Sequence, residues 1–211
     1  MKILAFDTAF AAVSACVARD GEVVAWRRVE MARGHAEALL PMIADVLAEA
    51  GLEAQDLTRI ATTLGPGHFT GLRAGLAAAQ GLGLATGARL VGITSFAAVS
   101  AGLEPLLAGE RRLGGLDSKR AEAFLALDDE APFAAPPAGF APAGDAFLVA
   151  GDRAAEFAAA LASAGRKVRI AAGPALPDAR VLARLARTAE PVDRLVPLYI
   201  HPPATTTPKR P

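Results

Sequence analysis

The chain has 211 residues, a formal net charge of zero, 53% hydrophobic and 21% charged residues. Those values suit a soluble globular protein of one large or two small domains with a sizeable core, and exclude a disordered chain. Zero net charge also argues against a protein that grips nucleic acid unaided, because neutralising phosphates demands a basic surplus. Cys16 is the only cysteine, so no intrachain disulfide forms and a reducing compartment is the simplest setting. Lys2 and the apolar stretch up to Ala15 loosely imitate a secretory leader, but Asp7 interrupts it. The uncharged run from Ala74 to Ala88 falls short of the roughly 20 apolar residues of a membrane span. The expected setting is cytoplasmic, without a membrane.

Lys2 to Thr8 reads as an apolar strand ending in an acid and a hydroxyl residue. Val13 to Ala18 and Val23 to Val29 follow, joined by Asp20-Gly21, a pair suited to a tight turn at positive φ. His35 to Ala50 has helical spacing, with Ala36, Leu39, Leu40, Ile43, Val46, Leu47 and Ala50 expected to face the core and Pro41 to kink it. Strand Thr58 to Leu64, helix Gly71 to Thr86, strand Leu90 to Ile93 and helix Ser95 to Leu103 complete the first half. That order predicts a mixed sheet with helices on its faces.

The second half opens alike. Leu113 to Asp117 is a strand ending in an acid, and Ala121 to Leu127 alternates again. Leu4 to Thr8 parallels Gly114 to Ser118, which suggests two related lobes, residues 1–104 and 111–200. Ala131 to Gly144 reads as a surface loop, followed by strand Ala146 to Ala150, helix Asp152 to Ala164, strand Lys167 to Ala171 and a helix from Asp178, its expected N-cap. Residues 201–211 read as a mobile tail.

Asp7 with Thr8, and Asp117 in the matching place, have two readings. One is a metal and phosphate site like those of actin-like ATPases and sugar kinases. The other is a strand-end Asp accepting backbone N–H bonds in a turn. A phosphate turn needs glycines so that backbone N–H groups can approach closely, and neither turn has one, which favours the second reading. Gly65 to Gly71 (GPGHFTG) lacks the Gly-Lys-Ser/Thr of a P-loop. It could form an anion site at a helix start with Gly67, Thr70 as N-cap and Arg73, or it could be a plain strand-to-helix connection.

Gly71, Gly75, Ala79, Gly83 and Gly87 recur every fourth residue and make one smooth stripe on a helix. The stripe could close against the chain's own sheet or dock a partner helix. The residues expected at a partner interface are Ala38, Met42, Asp45, Glu49, Gly71, Gly75, Ala79 and Gly83, and Gly75→Leu is expected to disturb partner binding more than folding. His35, His68 and His201 are scattered without metal-ligand spacing, and neither a metal site nor a catalytic residue is expected. An autonomous actin-fold ATPase or small-molecule kinase, and a metallopeptidase, stand as alternatives.

Arg33-Gly34-His35-Ala36-Glu37-Ala38-Leu39-Leu40-Pro41 and Gly65-Pro66-Gly67-His68-Phe69-Thr70-Gly71-Leu72-Arg73 resemble two signature runs of the TsaB (YeaZ) family. His68 replaces the usual serine of the second run, and His201 stands where an arginine is common. Asp7-Thr8 and Pro197-Leu198-Tyr199 fit as well. The resemblance implies an actin-like (ASKHA, ribonuclease H-like) fold of two related lobes with mixed β-sheets flanked by helices, the second lobe reduced. It implies a noncatalytic subunit that supports a TsaD-like transferase in making threonylcarbamoyladenosine in tRNA. A TsaE-like ATPase would join the complex, tRNA would be met only through it, and the free chain could pair with itself. No tightly bound cofactor is implied; ATP or ADP would be met only at the complex interface.

Overall fold

Apolar runs in β1 (Lys2–Phe10) and β3 (Glu22–Glu30) and the alternating β2 (Ala12–Arg19) draw the start of the chain into a meander. Asp20 and Gly21 turn between β2 and β3 at φ 53 and 100°, as their sequence predicts. In the computed structural model, residues 1–201 are described. Apart from His201, the expected tail lies outside the described residues.

α1 (His35–Glu49) leads to β4 (Arg59–Gly65), α2 (Phe69–Thr86), β5 (Arg89–Thr94) and α3 (Ser95–Ser100). β4 pairs parallel with β1, and β5 pairs parallel with β4, which gives the order β3-β2-β1-β4-β5. The second half supplies β6 (Glu110–Asp117), β7 (Ala123–Leu127), β8 (Phe133–Ala135), β9 (Ala146–Ala150), α4 (Ala154–Ser163), β10 (Lys167–Ile170) and α5 (Ala179–Leu185). Its sheet runs β8-β7-β6-β9-β10, with β6 and β7 antiparallel and β6, β9 and β10 parallel. Order and directions repeat those of the first sheet, with β1 and β6, the two strands matched in sequence, at both centres.

The first sheet is covered on both faces. Leu4 and Phe6 join a core with Leu39, Met42, Ile43 and Val46 of α1 and Leu72, Leu76 and Ala79 of α2. Ile3 and Ala5, one residue out of step, meet Ala179, Leu182 and Ala183 of α5 on the other face. The division at 111–200 therefore needs correcting. α5 is apolar along the side that meets β1, β2 and β4, and so returns to the first lobe. Leu198 then donates its N–H to Leu64 O at 2.7 Å, which holds the following segment there too.

Three further expectations change. Leu40 is 57% exposed and Ala36 is exposed, because the buried row of α1 runs Leu39, Met42, Ile43, Val46 and Leu47, and Leu40 lies about 100° round from Leu39. Met42, expected on the partner face, is core. The helix continues without a break through the exposed Pro41. Residues 131–144 are not all loop: Phe133–Ala135 pairs with β7, a strand hidden from sequence reading by its short length and Pro-rich flanks.

The second lobe is reduced at one place. Residues 136–145 join β8 to β9 without a helix, where the first lobe carries α1. Phe140 stands in, with its ring 6.4 Å from that of Phe133 and edge-on to Phe157 at 5.2 Å. Phe140→Ala should destabilise the chain by about 2 kcal/mol, less than a fully buried Phe because Phe140 is half-buried. Urea unfolding would measure the loss, and hydrogen exchange should place it in the second lobe.

Candidate functional site

The two central strands bring Asp7 and Asp117 to corresponding positions; Asp117 ends β6, whereas Asp7 lies inside β1, at the irregularity in its pairing with β2. Asp7 is 2% exposed and accepts the Ala9 N–H at 3.3 Å and the Thr63 hydroxyl. Burial pushes its carboxyl up to about 6, against the pull of the Thr63 hydroxyl, the Ala9 N–H and the Arg28 charge. Asp117 accepts the Lys119 N–H at 3.0 Å and Arg153 Nη1 at 3.3 Å, and its own N–H goes to Asp152 at 2.9 Å. The shared contact is Asp to the N–H two residues on: at Asp117 it closes the turn after β6, as the missing glycines predict, while at Asp7 it falls within β1. Thr8 is tied elsewhere, donating its hydroxyl to Gly71 O at 2.7 Å.

The Gly65–Gly71 loop also differs from an anion cradle. His68, not Thr70, is the N-cap residue of α2, and no side chain caps the helix. A Cβ on Gly67 would lie 2.8 Å from both Cβ and O of Ala9, so this glycine serves contact between loop and strand turn. Arg73 is occupied: its Nε donates to Tyr199 OH at 2.9 Å and its guanidinium lies 3.8 Å from the centre of the Phe69 ring. Arg73 thus fastens the C-terminal segment to α2.

The glycine stripe faces inward, which corrects the interface assigned to Gly71, Gly75, Ala79 and Gly83. A Cβ at Gly71 would sit 2.1 Å from Thr8 O, at Gly75 2.6 Å from Thr8 Oγ1, and at Gly83 2.7 Å from Leu90 Cδ2. Ala79 is fully buried. The missing side chains let α2 lie directly on β1 and β4. The outer side of α2 is the row Thr70, Arg73, Ala77, Gly81 and Leu84, beside α1, whose outer residues include Leu40, Ala44, Asp45, Ala48 and Glu49. Of the α1 residues expected at an interface, Asp45 and Glu49 are exposed, Ala38 is half-buried, and Glu49 pairs with Arg27 at 2.5 Å.

Between the lobes lies a cavity of about 700 Å³. Thr8, Gly67 and Thr70 of the expected anion site line it; Asp7, Arg73 and Asp117 do not. His68 of the same loop lines it too, and sequence reading missed the rest of its wall: Arg33 and His35 from the entry to α1, the turn residues Lys119 and Arg120, and Leu198 to His201. The quoted Pro197-Leu198-Tyr199 run was the one signal that the far end of the chain comes here. His68 Nε2 is 3.4 Å from Asp117 Oδ2, joining the lobes across the cavity edge. Burial and then the Lys119 charge hold the His68 pKa below its ordinary value, while Asp117 pulls the other way.

The duplicated sheets and the cleft between them define an actin-like fold with two lobes. A family model described as TsaD, tRNA N6-adenosine threonylcarbamoyltransferase, matches residues 29–106. The Escherichia coli tRNA threonylcarbamoyladenosine biosynthesis protein TsaB is 34% identical over 126 residues, 60% of this chain and 54% of that protein. Its Haemophilus influenzae namesake is 30% identical over 125 residues, 59% of this chain and 52% of that protein. The chain thus spans about half the length of the curated relatives it matches. In fold it is similar to YeaZ from Pseudomonas aeruginosa, with a TM-score of 0.73 at 24% identity over 94% of this chain and 100% of that one. By these matches the chain is similar in sequence to TsaB proteins over part of its length and similar in fold to YeaZ. Among the described residues, no helix is long and apolar enough to cross a membrane.

Proposed function

We propose that the chain is a noncatalytic subunit in tRNA threonylcarbamoyladenosine biosynthesis that supports a TsaD-like transferase, binding it through the outer faces of α1 and α2. The observation that carries this reading is the uncharged outer row Ala77, Gly81 and Leu84, with Leu84 90% exposed. A leucine left in water forgoes roughly 2 kcal/mol of burial, and small residues beside it let a second helix approach closely. Asp7 supports the noncatalytic reading, because its Oδ1 already accepts from Thr63 and Ala9 and the residue does not line the cleft. A TsaE-like ATPase would join the pair, tRNA would reach this chain through the complex, and ATP or ADP would be met at the complex interface. Alone, the chain would pair with itself through the same face.

Mixing the chain with the TsaD-like protein of its own organism, followed by sizing, should give a heterodimer. Leu84→Glu should weaken it roughly tenfold or more, since a buried unpaired charge costs several kcal/mol, and should leave the melting temperature of the free chain unchanged. Failure of the unaltered proteins to associate would sink the reading.

A further inference from the structure

We propose that the interlobe cavity binds a small organic anion, and does so without a divalent metal. Its volume, about 700 Å³, lies in the range of small-molecule sites. Arg33, Lys119 and Arg120 line it against one carboxylate, Glu37. Among the described residues, none of these three cations has a carboxylate within ion-pair distance. They come from both lobes: Arg33 precedes α1, and Lys119 and Arg120 form the turn between β6 and β7. Lys119 is held at φ 58°, a conformation that disfavours a residue with a Cβ, by its N–H bond to Asp117.

The first turn of α2 is the second pointer. Phe69, Thr70 and Gly71 line the cavity, and the helix start has neither a side-chain cap nor an acid to offset its positive end. α1 starts at the same cavity but carries Glu37 in its first turn, so its end is already offset. Phe124, Leu198 and Ile200 give the wall an apolar side for the body of the ligand.

The metal-free character follows from the acids. Asp7 is tied to Thr63 and Ala9 away from the cavity, and Asp117 is tied to Lys119 and Arg153. Among the described residues no group of three or more histidines, cysteines and acids stands ready to hold a metal ion. The ligand therefore differs from a magnesium nucleotide held by the strand turns.

The test uses the free chain, so it is separate from the partner reading. Inorganic pyrophosphate is titrated in EDTA and followed by amide NMR shifts. Saturable shifts at Phe69 to Gly71 and at Lys119 and Arg120 are expected. The double variant Lys119→Ala, Arg120→Ala should weaken binding roughly tenfold or more, as loss of charge-assisted contacts does, with an unchanged melting temperature. Shifts no larger than those from sodium chloride of equal ionic strength would overturn the proposal. So would binding that survives the double variant, or binding that needs magnesium and is lost in Asp7→Asn.

Discussion

Gly75→Leu should strongly destabilise the free chain and not merely detach a partner. A single Cβ at this position would fall 2.6 Å from Thr8 Oγ1 and 3.3 Å from Thr62 Oγ1, and leucine adds three more carbons. The neighbours cannot step aside. Thr8 is on the central strand and its hydroxyl is bonded to Gly71 O of the same helix. Forcing extra carbons into a well-filled core costs about 1–3 kcal/mol, and pushing a helix off a strand places this change at or above the upper figure. That is a large share of the stability of an ordinary domain, about 5–15 kcal/mol. Urea unfolding should show a large fall in midpoint or no cooperative transition. Gly81→Leu is the control. A Cβ there meets nothing within 4 Å, and the position is exposed on the outer row. It should fold at least as stably, gaining up to about 1 kcal/mol from helix propensity, while altering association with a partner. A stable Gly75→Leu chain that fails only in association would show the stripe to be an outer surface.

Asp7→Asn should stabilise the chain at neutral pH. The Asp7 carboxyl, pushed up to about 6 by burial, holds its proton more tightly in the folded chain than in the unfolded one, where 3.8 is ordinary. Its contribution to stability is therefore fully present below about pH 4 and is lost as pH rises through about 6. The Asn carboxamide oxygen can still accept from Thr63 and Ala9 and has no proton to lose. The variant should gain about 3 kcal/mol over the unaltered chain above pH 6, and the gap should close towards pH 4. Asp152, likewise pushed up to about 6 chiefly by burial, keeps part of the pH slope in both proteins, so the difference between them isolates Asp7. Urea unfolding across that pH range measures it. A variant less stable than the unaltered chain at pH 7 would mean that the carboxylate, as an ion, is what the site needs.

Much of the fold was legible because its signals are local. Apolar runs and one stretch of period-two alternation marked the long strands, Asp20-Gly21 marked the hairpin, and Asp178 proved to cap α5 by accepting the Arg180 N–H at 2.9 Å. The internal repeat was legible because Asp7 and Asp117 recur at matching places in β1 and β6. What sequence could not give was the partner of each surface. The glycine row announces a helix with a smooth side, yet periodicity holds no information on whether that side meets a sheet or another protein. Arg73 looked like an anion ligand for the same reason: nothing local reveals that Tyr199, 126 residues later, takes its Nε. The cavity draws its wall from segments distant in sequence, and only His68 and its neighbouring loop stood out beforehand.

The return of α5 changes how the chain divides. Residues 110–170 form the second sheet, but the helix and segment after them complete the first lobe. The second lobe is therefore an insertion within the first, entered after α3 and left before α5. A fragment ending at residue 104 would keep every strand of the first sheet and still leave Ile3, Ala5, Cys16 and Ala18 without the helix that covers them. The lobes look like successive halves along the sequence, yet the first is complete only when the last helix has been made, and movement between them is restrained by two crossings of the chain.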